Sequence, residues 1–316
     1  MCASSLAHHG REGLRCVAVA GTLCGVRGVA LVLLIAAAGA SAAFATPAAK
    51  RDLPHTLRYV DTSRTVKFPH EKREYRPVTT DFWYPPARDG SGPFPLIVFG
   101  HGFASTPWWY RRLLRDWAAA GYVVAAPVFP LGNENAPGGP DESDIVNQPR
   151  DMSFVITRVL AASARSTGLF SGLVDPDRVA VAGQSDGAET AFAAADEKPF
   201  RDDRIKAALI LSGAILGPRR YVEHTGVPLL AVQGTGDTIN PPKYTHELFR
   251  AAGRAKFLLL LKGAGHLPPY TVPGETLDTV EHVTVAFLDH YLGDGSLSAI
   301  GTAAKELPTA ELTSDP

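Results

Sequence analysis

Short apolar runs that alternate with helical segments constrain the fold of this chain more than any other feature of its sequence. The apolar runs are residues 96–99, 122–128, 178–182, 207–211, 228–232 and 256–261. Helices are predicted at residues 106–120, 150–164, 187–195 and 276–291. Parallel strands that helices cover on both faces have this continuous apolar character. The pattern therefore predicts an α/β fold with a mainly parallel central sheet and helices on both faces.

Two further segments complete the predicted organisation. Residues 75–84 alternate polar and apolar side chains and predict an edge strand that ends at two prolines. Residues 130–149 are rich in Gly, Pro, Asn and Asp, which predicts a long functional or mobile loop. No repeat and no Ser/Gly linker interrupts the chain after its first 50 residues. We therefore expect a single folded domain.

Composition and charge exclude two broad classes of protein. Hydrophobic residues make up 45% of the chain, with 14 Phe, 9 Tyr and 4 Trp, so the chain can bury a core and wholesale disorder is excluded. The 31 basic residues are balanced by 32 acidic ones, which gives no electrostatic reason to bind nucleic acid. We expect a monomer that does not interact with nucleic acid.

The N-terminal segment has the features of an export signal. Three arginines precede an uncharged stretch at residues 28–49, and A-x-A motifs follow at 40–42 and 43–45. The alternative is a membrane anchor that is not cleaved and holds the protein on the outer side of the membrane. Cleavage after Ala45 leaves no cysteine, because the chain's cysteines are Cys2, Cys16 and Cys24. The expected division is a signal peptide at 1–45, a lead-in segment at 46–74, a main domain at 75–293 and a flexible C-terminal tail at 294–316.

The sequence Gly-Gln-Ser-Asp-Gly at residues 183–187 is the strongest chemical signal. The G-x-S-x-G pattern alone is weak, but here it directly follows a buried strand and directly precedes a helix. That context predicts a nucleophile elbow, a strained turn that exposes the Ser185 Oγ. Glycines on both sides remove the Cβ atoms that would clash in such a turn.

A serine hydroxyl needs a base, and the base needs an orienting acid. In folds with an elbow of this kind, the nucleophilic serine comes first along the chain, followed by the acid and then by the histidine. Asp237 and His266 follow the next suitable strands in that order, each in a loop containing glycine. Asp203 and Asp278 are poorer candidates because neither follows a core strand. The alternative for Asp237 is a turn cap before two prolines.

An oxyanion hole requires two backbone N–H groups that point at the developing negative charge. The residue after the nucleophile, Asp186, is expected to supply one of them. The loop after residues 96–99 reads Gly100-His101-Gly102-Phe103, and we assign the second N–H to Phe103. His101 is then a buried residue that holds the loop by hydrogen bonds. A plain glycine turn remains the alternative for this loop.

Taken together, these motifs resemble those of bacterial α/β-hydrolases. The segments at 95–103, 183–187, 234–242 and 263–266 are most similar to cutinase-like polyester (PET) hydrolases, chlorophyllase-like esterases and platelet-activating-factor acetylhydrolase-like esterases. The resemblance extends over roughly residues 75–291 and implies Ser185 as nucleophile, His266 as base and acid, and Asp237 as orienting acid. It also implies an α/β-hydrolase fold and chemistry without a cofactor. The 52 residues from Ser185 to Asp237 leave no room for a large cap domain.

The elbow departs from the pattern of these families, in which it usually reads Gly-His-Ser-apolar-Gly-Gly. Gln184, Asp186 and Ala188 replace the common residues. We interpret Gln184 as a mild change. Asp186 has two interpretations: an acid that the dipole at a helix N-terminus favours, or a group that disfavours anionic or very apolar acyl chains.

The expected substrate is an ester bound in an open cleft. Phe103, Trp108, Trp109 and Ile239 are candidates for its walls, and the 130–149 loop is expected to overhang it. Alternatively, Trp108 and Trp109 pack the helix on the sheet. The function expected first is a secreted serine carboxylesterase acting on small-molecule, lipid or polymeric esters. The alternatives are a lipid acyl hydrolase and a non-catalytic binding protein on a hydrolase scaffold.

Overall fold

The computed structural model describes residues 53–85, 92–214, 226–253 and 255–315. The expected signal peptide and all three cysteines lie outside the described residues. The strands are β1 (His55–Val66), β2 (Glu74–Trp83), β3 (Phe94–Gly100), β4 (Val123–Val128), β5 (Val174–Gln184), β6 (Ile205–Leu211), β7 (Leu229–Gly234), β8 (Lys256–Leu261) and β9 (Ala310–Asp315). The helices are α1 (Arg111–Ala119), α2 (Gln148–Ser163), α3 (Asp186–Asp196), α4 (Pro242–Ala251), α5 (Pro268–Thr271), α6 (Glu275–Leu292) and α7 (Leu297–Ala304).

The described strands form one sheet in the order β1-β2-β4-β3-β5-β6-β7-β8-β9. The six strands from β3 to β8 run parallel, whereas β1, β2 and β9 pair antiparallel with their neighbours. The predicted mainly parallel sheet is therefore confirmed. Short apolar runs form its centre because each such strand is covered on both faces.

Two core clusters lie on the two faces of the sheet, and β3 shows how one run supplies both. Ile97 and Phe99 pack into the cluster that contains Trp117 of α1. Leu96 and Val98 face the other side, in the cluster that contains Met152 of α2. Alternate residues of a strand point to opposite faces, so a wholly apolar strand indicates a sheet buried between two helical layers.

The expectations about the chain ends are wrong. The lead-in segment contains β1, which pairs with β2, so residues 75–84 belong to an inner strand and not to an edge. The tail that we expected to be flexible forms α7 and then β9, which pairs with β8 along its whole length. Small and polar residues suit an edge strand, because one of its sides meets solvent. The folded domain therefore includes both segments.

Several helix limits also differ from the prediction. The segment expected to be one helix from residue 106 begins as a 3-10 turn, Pro107–Tyr110, and becomes α-helical in α1. The Thr106 side chain does not cap that turn but donates a hydrogen bond to Glu134 Oε1 at 3.0 Å. None of the helices that the structure describes is long and apolar enough to cross a membrane.

Candidate active site

The elbow at the end of β5 has the strained geometry that its sequence predicts. Ser185 has φ 57° and ψ −124°, a backbone conformation that costs about 1–3 kcal/mol in a non-glycine residue. A Cβ on Gly183 would lie 2.0 Å from the Gly187 carbonyl oxygen, and one on Gly187 would lie 2.0 Å from that of Gly100. The flanking glycines are therefore required by the close approach of α3 to β3 and β5.

The structure brings the three candidate triad residues together at the carboxyl edge of the sheet. Ser185 Oγ lies 3.0 Å from His266 Nε2, and His266 Nδ1 lies 2.7 Å from Asp237 Oδ2. Asp237 is only 3% exposed, so its carboxylate meets the imidazole away from water. With Nδ1–H donating to Asp237, the lone pair of Nε2 faces the serine hydroxyl. This is the arrangement that a serine nucleophile and its base require.

The Asp237 carboxylate is held by its own loop. Oδ1 accepts hydrogen bonds from the backbone N–H groups of Ile239 and Asn240, both at 2.9 Å. Oδ2 accepts a third from Gln233 Nε2 at 3.1 Å in addition to that from His266. The carboxylate is thus fixed in plane and orientation by four donors. The expected rivals lie elsewhere: Asp203 and Asp278 pair with arginines on the surface.

The loops that carry Asp237 and His266 pack directly on each other. The Gly236 N–H donates to the Ala264 carbonyl oxygen at 2.9 Å. A Cβ on Gly234 would lie 2.3 Å from that same oxygen. Glycine at the end of β7 therefore allows the two loops to approach closely enough for the acid to reach the imidazole.

The loop after β3 contains the second expected donor of the oxyanion hole. His101 is 1% exposed, and its Nε2 accepts a hydrogen bond from the Phe129 N–H at 3.0 Å while Nδ1–H donates to the Gly102 carbonyl at 2.8 Å. Burial lowers the pKa of His101 to about 4, so the ring is neutral. Within the described part of the chain, the N–H groups of Phe103 and Asp186 donate no hydrogen bond.

Asp186 is the first residue of α3, and its side chain is buried beside the nucleophile. The residue is 8% exposed, and Oδ2 has no hydrogen-bond partner among the described residues. Burial, followed by the negative charge of Glu142, raises the pKa of Asp186 to about 6. A helix dipole would favour the carboxylate form, so the cost of burying the charge is the larger effect here.

Sequence reasoning underestimated Gln184. Its side chain is 1% exposed and its Oε1 accepts a hydrogen bond from the Tyr110 hydroxyl at 2.7 Å. Its Nε2 lies 3.1 Å from the His266 carbonyl oxygen and 3.2 Å from His266 Nε2. The only sequence signal was the replacement of a common histidine, which says nothing about the distant residues that Gln184 contacts.

The residues expected to line the cleft are all exposed large apolar residues. Phe103 and Trp109 are each 39% exposed, Trp108 is 42% exposed and Ile239 is 68% exposed. The core between α1 and the sheet contains Tyr110, Leu113 and Trp117, and neither Trp108 nor Trp109 is among its buried residues. Trp109 Nε1 donates to Glu134 Oε1 at 3.0 Å, which connects this wall to the 130–149 loop.

The 130–149 loop is fixed to the loop after β3. The Ala104 N–H donates to the Gly132 carbonyl at 2.8 Å, and Ser105 forms a β-bridge with Asn133. The loop also contains a 3-10 helix, Glu142–Asn147, whose first turn Asp141 caps. It is therefore an ordered segment held against the loop after β3. Residues 215–225, between β6 and β7 in the chain, are outside the described residues.

Comparison with known proteins agrees with this architecture. Residues 58–214, just under half of the chain, match the chlorophyllase family. The match includes the loop after β3 and the elbow and stops before Asp237. Many solved structures are similar in fold, among them a ferulic acid esterase from Streptomyces cinnamoneus. That similarity has a TM-score of 0.61 and 19% identity, and covers 82% of this chain and 95% of the other. No curated protein matches the sequence.

The sheet topology and the position of the serine elbow define an α/β-hydrolase fold. Within that class the chain resembles the chlorophyllase-like esterases, as the match over residues 58–214 indicates. The family match and the fold together support an ester hydrolase.

Proposed function

We propose that the protein is an exported serine hydrolase that cleaves carboxylic esters through an acyl-enzyme. The observation that carries this proposal is the continuous line of hydrogen bonds from Ser185 Oγ through the His266 ring to Asp237, at 3.0 Å and 2.7 Å. The chlorophyllase family match and the esterase-like fold support the same reaction class.

In the acylation step, Ser185 Oγ attacks the ester carbonyl carbon and its proton moves to His266 Nε2. The carbonyl oxygen becomes negatively charged and accepts hydrogen bonds from the N–H groups of Phe103 and Asp186. The bond from the carbonyl carbon to the alcohol oxygen then breaks. The alcohol leaves with the proton from Nε2, and the acyl group stays on the serine.

Deacylation repeats these steps with water. His266 Nε2 takes a proton from the water, whose oxygen attacks the acyl carbon, and the same two N–H groups hold the second oxyanion. The bond to Ser185 Oγ breaks and the serine recovers its proton from the imidazolium. Asp237 stabilises the imidazolium in both halves of the reaction and keeps the ring in one tautomer.

The walls of the site favour esters with a large apolar group. The residues that we propose as walls, Phe103, Trp108, Trp109 and Ile239, expose aromatic or aliphatic surface. Burying such surface against a substrate contributes about 25 cal/mol per Å². Asp186 adds a second preference, because its carboxylate disfavours a negatively charged acyl group at pH values above its pKa of about 6.

The first test is Ser185→Ala assayed with short-chain nitrophenyl esters and with a fluorophosphonate probe. We expect kcat to fall by at least about 10⁴-fold and labelling to disappear, while the folded protein remains intact. Full activity in this variant would refute the proposal. Absence of labelling in the wild-type protein would favour the non-catalytic binding protein.

A substrate panel separates the carboxylesterase from the lipid acyl hydrolase. It should combine several acyl lengths with soluble, micellar and polymeric esters. A rate that rises sharply when a substrate forms micelles would favour the lipid hydrolase. High rates on soluble esters would favour the carboxylesterase.

The proposal of export rests on the charge and apolar pattern of residues 1–45. N-terminal sequencing of protein from the culture medium tests it, with cleavage after Ala45 as the expected result. Full-length protein in the membrane fraction would favour the uncleaved anchor.

A further inference from the structure

We propose that Gln184 is a positioning residue that holds the His266 imidazole toward Ser185, and that the Tyr110 hydroxyl fixes the Gln184 amide in the orientation this requires. The inference rests on the proposed esterase function, since it gives a role to a residue that contacts the base. It concerns a side chain that the elbow places beside the nucleophile and that the reaction steps above do not use.

The neighbours of Gln184 determine which way its amide faces. The His266 carbonyl oxygen, 3.1 Å from the amide, can only accept a hydrogen bond, so the NH₂ group must face it. Oε1 then faces the Tyr110 hydroxyl at 2.7 Å, which donates to it. Burial raises the pKa of Tyr110 to about 12, so the phenol keeps its proton at working pH. The amide is fixed from both ends.

Gln184 contacts two parts of His266 with one NH₂ group. One N–H donates to the backbone carbonyl, and the amide nitrogen also lies 3.2 Å from the ring Nε2. Nε2 has a single lone pair, which the serine hydroxyl at 3.0 Å needs during proton transfer. When the ring takes the proton, the bond to the carbonyl remains. Gln184 therefore holds the loop of the base in both protonation states.

The oxyanion loop is connected to the same amide. The Gly102 N–H donates to the Tyr110 hydroxyl at 3.4 Å. A Cβ on Gly102 would lie 2.8 Å from Gln184 Oε1 and 3.2 Å from the Tyr110 oxygen. Position 102 thus needs glycine because the Gln184 amide occupies the space beside it. The side chains of Tyr110 and Gln184 connect the oxyanion loop to the base.

The hydrogen bond between His266 Nδ1 and Asp237, taken alone, leaves the imidazole free to rotate about one axis. The carboxylate holds Nδ1 but still allows the ring to tilt about that bond. The hydrogen bond from Gln184 to the His266 carbonyl fixes the backbone that carries the ring, and the amide packed 3.2 Å from Nε2 limits the tilt. A small misplacement of a reacting group is enough to lower the rate of a catalysed step. Loss of Gln184 should therefore reduce kcat more than substrate binding, because Gln184 is 1% exposed and lies behind the reacting atoms.

The experiment compares Gln184→Met, Tyr110→Phe and the double variant. We expect kcat on a nitrophenyl ester to fall about tenfold in Gln184→Met and about threefold in Tyr110→Phe, with KM within about twofold. Because Tyr110 acts mainly through its short bond to Gln184, and its bond from the Gly102 N–H is long at 3.4 Å, the double variant should lie close to Gln184→Met and well short of the product of the single effects. Tyr122→Phe, which removes another buried hydroxyl that bonds Asp289 on α6, is the control with wild-type kcat.

A second readout separates positioning from general damage to the fold. In protein labelled with ¹⁵N-histidine, the Nε2 resonance of His266 should shift in Gln184→Met and stay constant in Tyr122→Phe. Wild-type kcat and an unshifted resonance in Gln184→Met would overturn the inference, as would multiplicative effects in the double variant. If Gln184→Met does not fold, Tyr110→Phe decides alone, and wild-type kcat in it overturns the inference. Ser185→Ala keeps the two proposals apart, because retained activity in that variant refutes the esterase mechanism itself.

Discussion

Two buried polar networks in this molecule differ in how completely they are satisfied. In the first, the guanidinium of Arg76 on β2 donates to Asp144 and Asp151 at 2.6–3.0 Å, and Arg64 adds a bond to Asp151 at 2.7 Å. The second network is the triad, whose hydrogen bonds run from Asp237 through His266 and end at Ser185 Oγ. Arg76 is 1% exposed, whereas in the triad Asp237 is buried and Ser185 and His266 are half-buried.

The difference separates a structural cluster from a reactive one. The carboxylates around Arg76 have partners on every side, and this network joins β2 to α2 and to the 3-10 helix of the 130–149 loop. Around Ser185, by contrast, the Phe103 and Asp186 N–H groups and Asp186 Oδ2 have no partner among the described residues. Polar groups left without partners in a buried site are available to a ligand, whereas satisfied groups only hold the structure.

The largest expected effect is that of Asp237→Asn on activity. An amide NH₂ facing His266 Nδ1 forces the other tautomer, in which Nε2 carries the proton and cannot accept one from Ser185. We expect kcat to fall by about 10⁴-fold. The free energy of unfolding should fall by only about 1 kcal/mol, since Oδ1 keeps its two backbone donors.

Steady-state kinetics and urea denaturation of this variant test the separation between the two networks. A large loss of stability with little loss of kcat would mean that Asp237 belongs to the structural class, like Asp151. The matched control is Asp203→Asn, an exposed aspartate that we expect to leave both quantities unchanged.

Arg76→Met should have the opposite effect, with a large loss of unfolding free energy and a small loss of activity. It leaves Asp144 and Asp151 as buried carboxylates without their main partner, which costs about 3–5 kcal/mol. Activity per folded molecule should fall only a fewfold, because the triad is built on other strands. The measurement is urea denaturation together with kcat corrected for the folded fraction.

The control for this variant is Arg73→Met, which replaces an arginine close to Arg76 in the sequence. Arg73 is exposed and donates one hydrogen bond to Thr65, so its loss should change stability by less than about 0.5 kcal/mol. Equal effects of the two substitutions would contradict the structural role of the Arg76 network.

The sequence predicted the reactive network better than the structural one. Ser185, Asp237 and His266 could be found because each follows a strand in a fixed chain order, so local pattern and topology were sufficient. Arg76 pairs with residues 68 and 75 positions away. Nothing in the residues around it indicates those partners. Gln184 was missed for the same reason, since Tyr110 and His266 lie 74 and 82 positions away.

The fold shows a similar division. The inner parallel strands were predicted because burial on both faces leaves continuous apolar runs such as residues 207–211. The edge strands β1 and β9 were missed because half of each faces solvent and their sequences are largely polar. Their pairing depends on an exposed backbone edge of the sheet, which composition does not reveal.

The smallest expected effect is on the pH dependence of stability and concerns Asp186, the unsatisfied acid of the reactive network. Its pKa is about 6 in the folded protein and 3.8 when unperturbed. The folded state therefore binds more protons between these values, and stability falls as pH rises from about 4 to about 6. Each pKa unit corresponds to about 1.4 kcal/mol, so the charged form lowers the unfolding free energy by about 3 kcal/mol.

Asp186→Asn removes that charge while keeping the shape of the side chain. The variant should match the wild type at pH 4 and be about 3 kcal/mol more stable at pH 8, as measured by urea denaturation at both values. Asp203→Asn should show no such difference between the two pH values. If the stability of Asp186→Asn follows the wild type at both values, the carboxyl has a partner or is solvated, and the contrast between the two networks fails at this residue. If the expected gain appears, the reactive network carries a cost in stability that the Arg76 network avoids by pairing every charge.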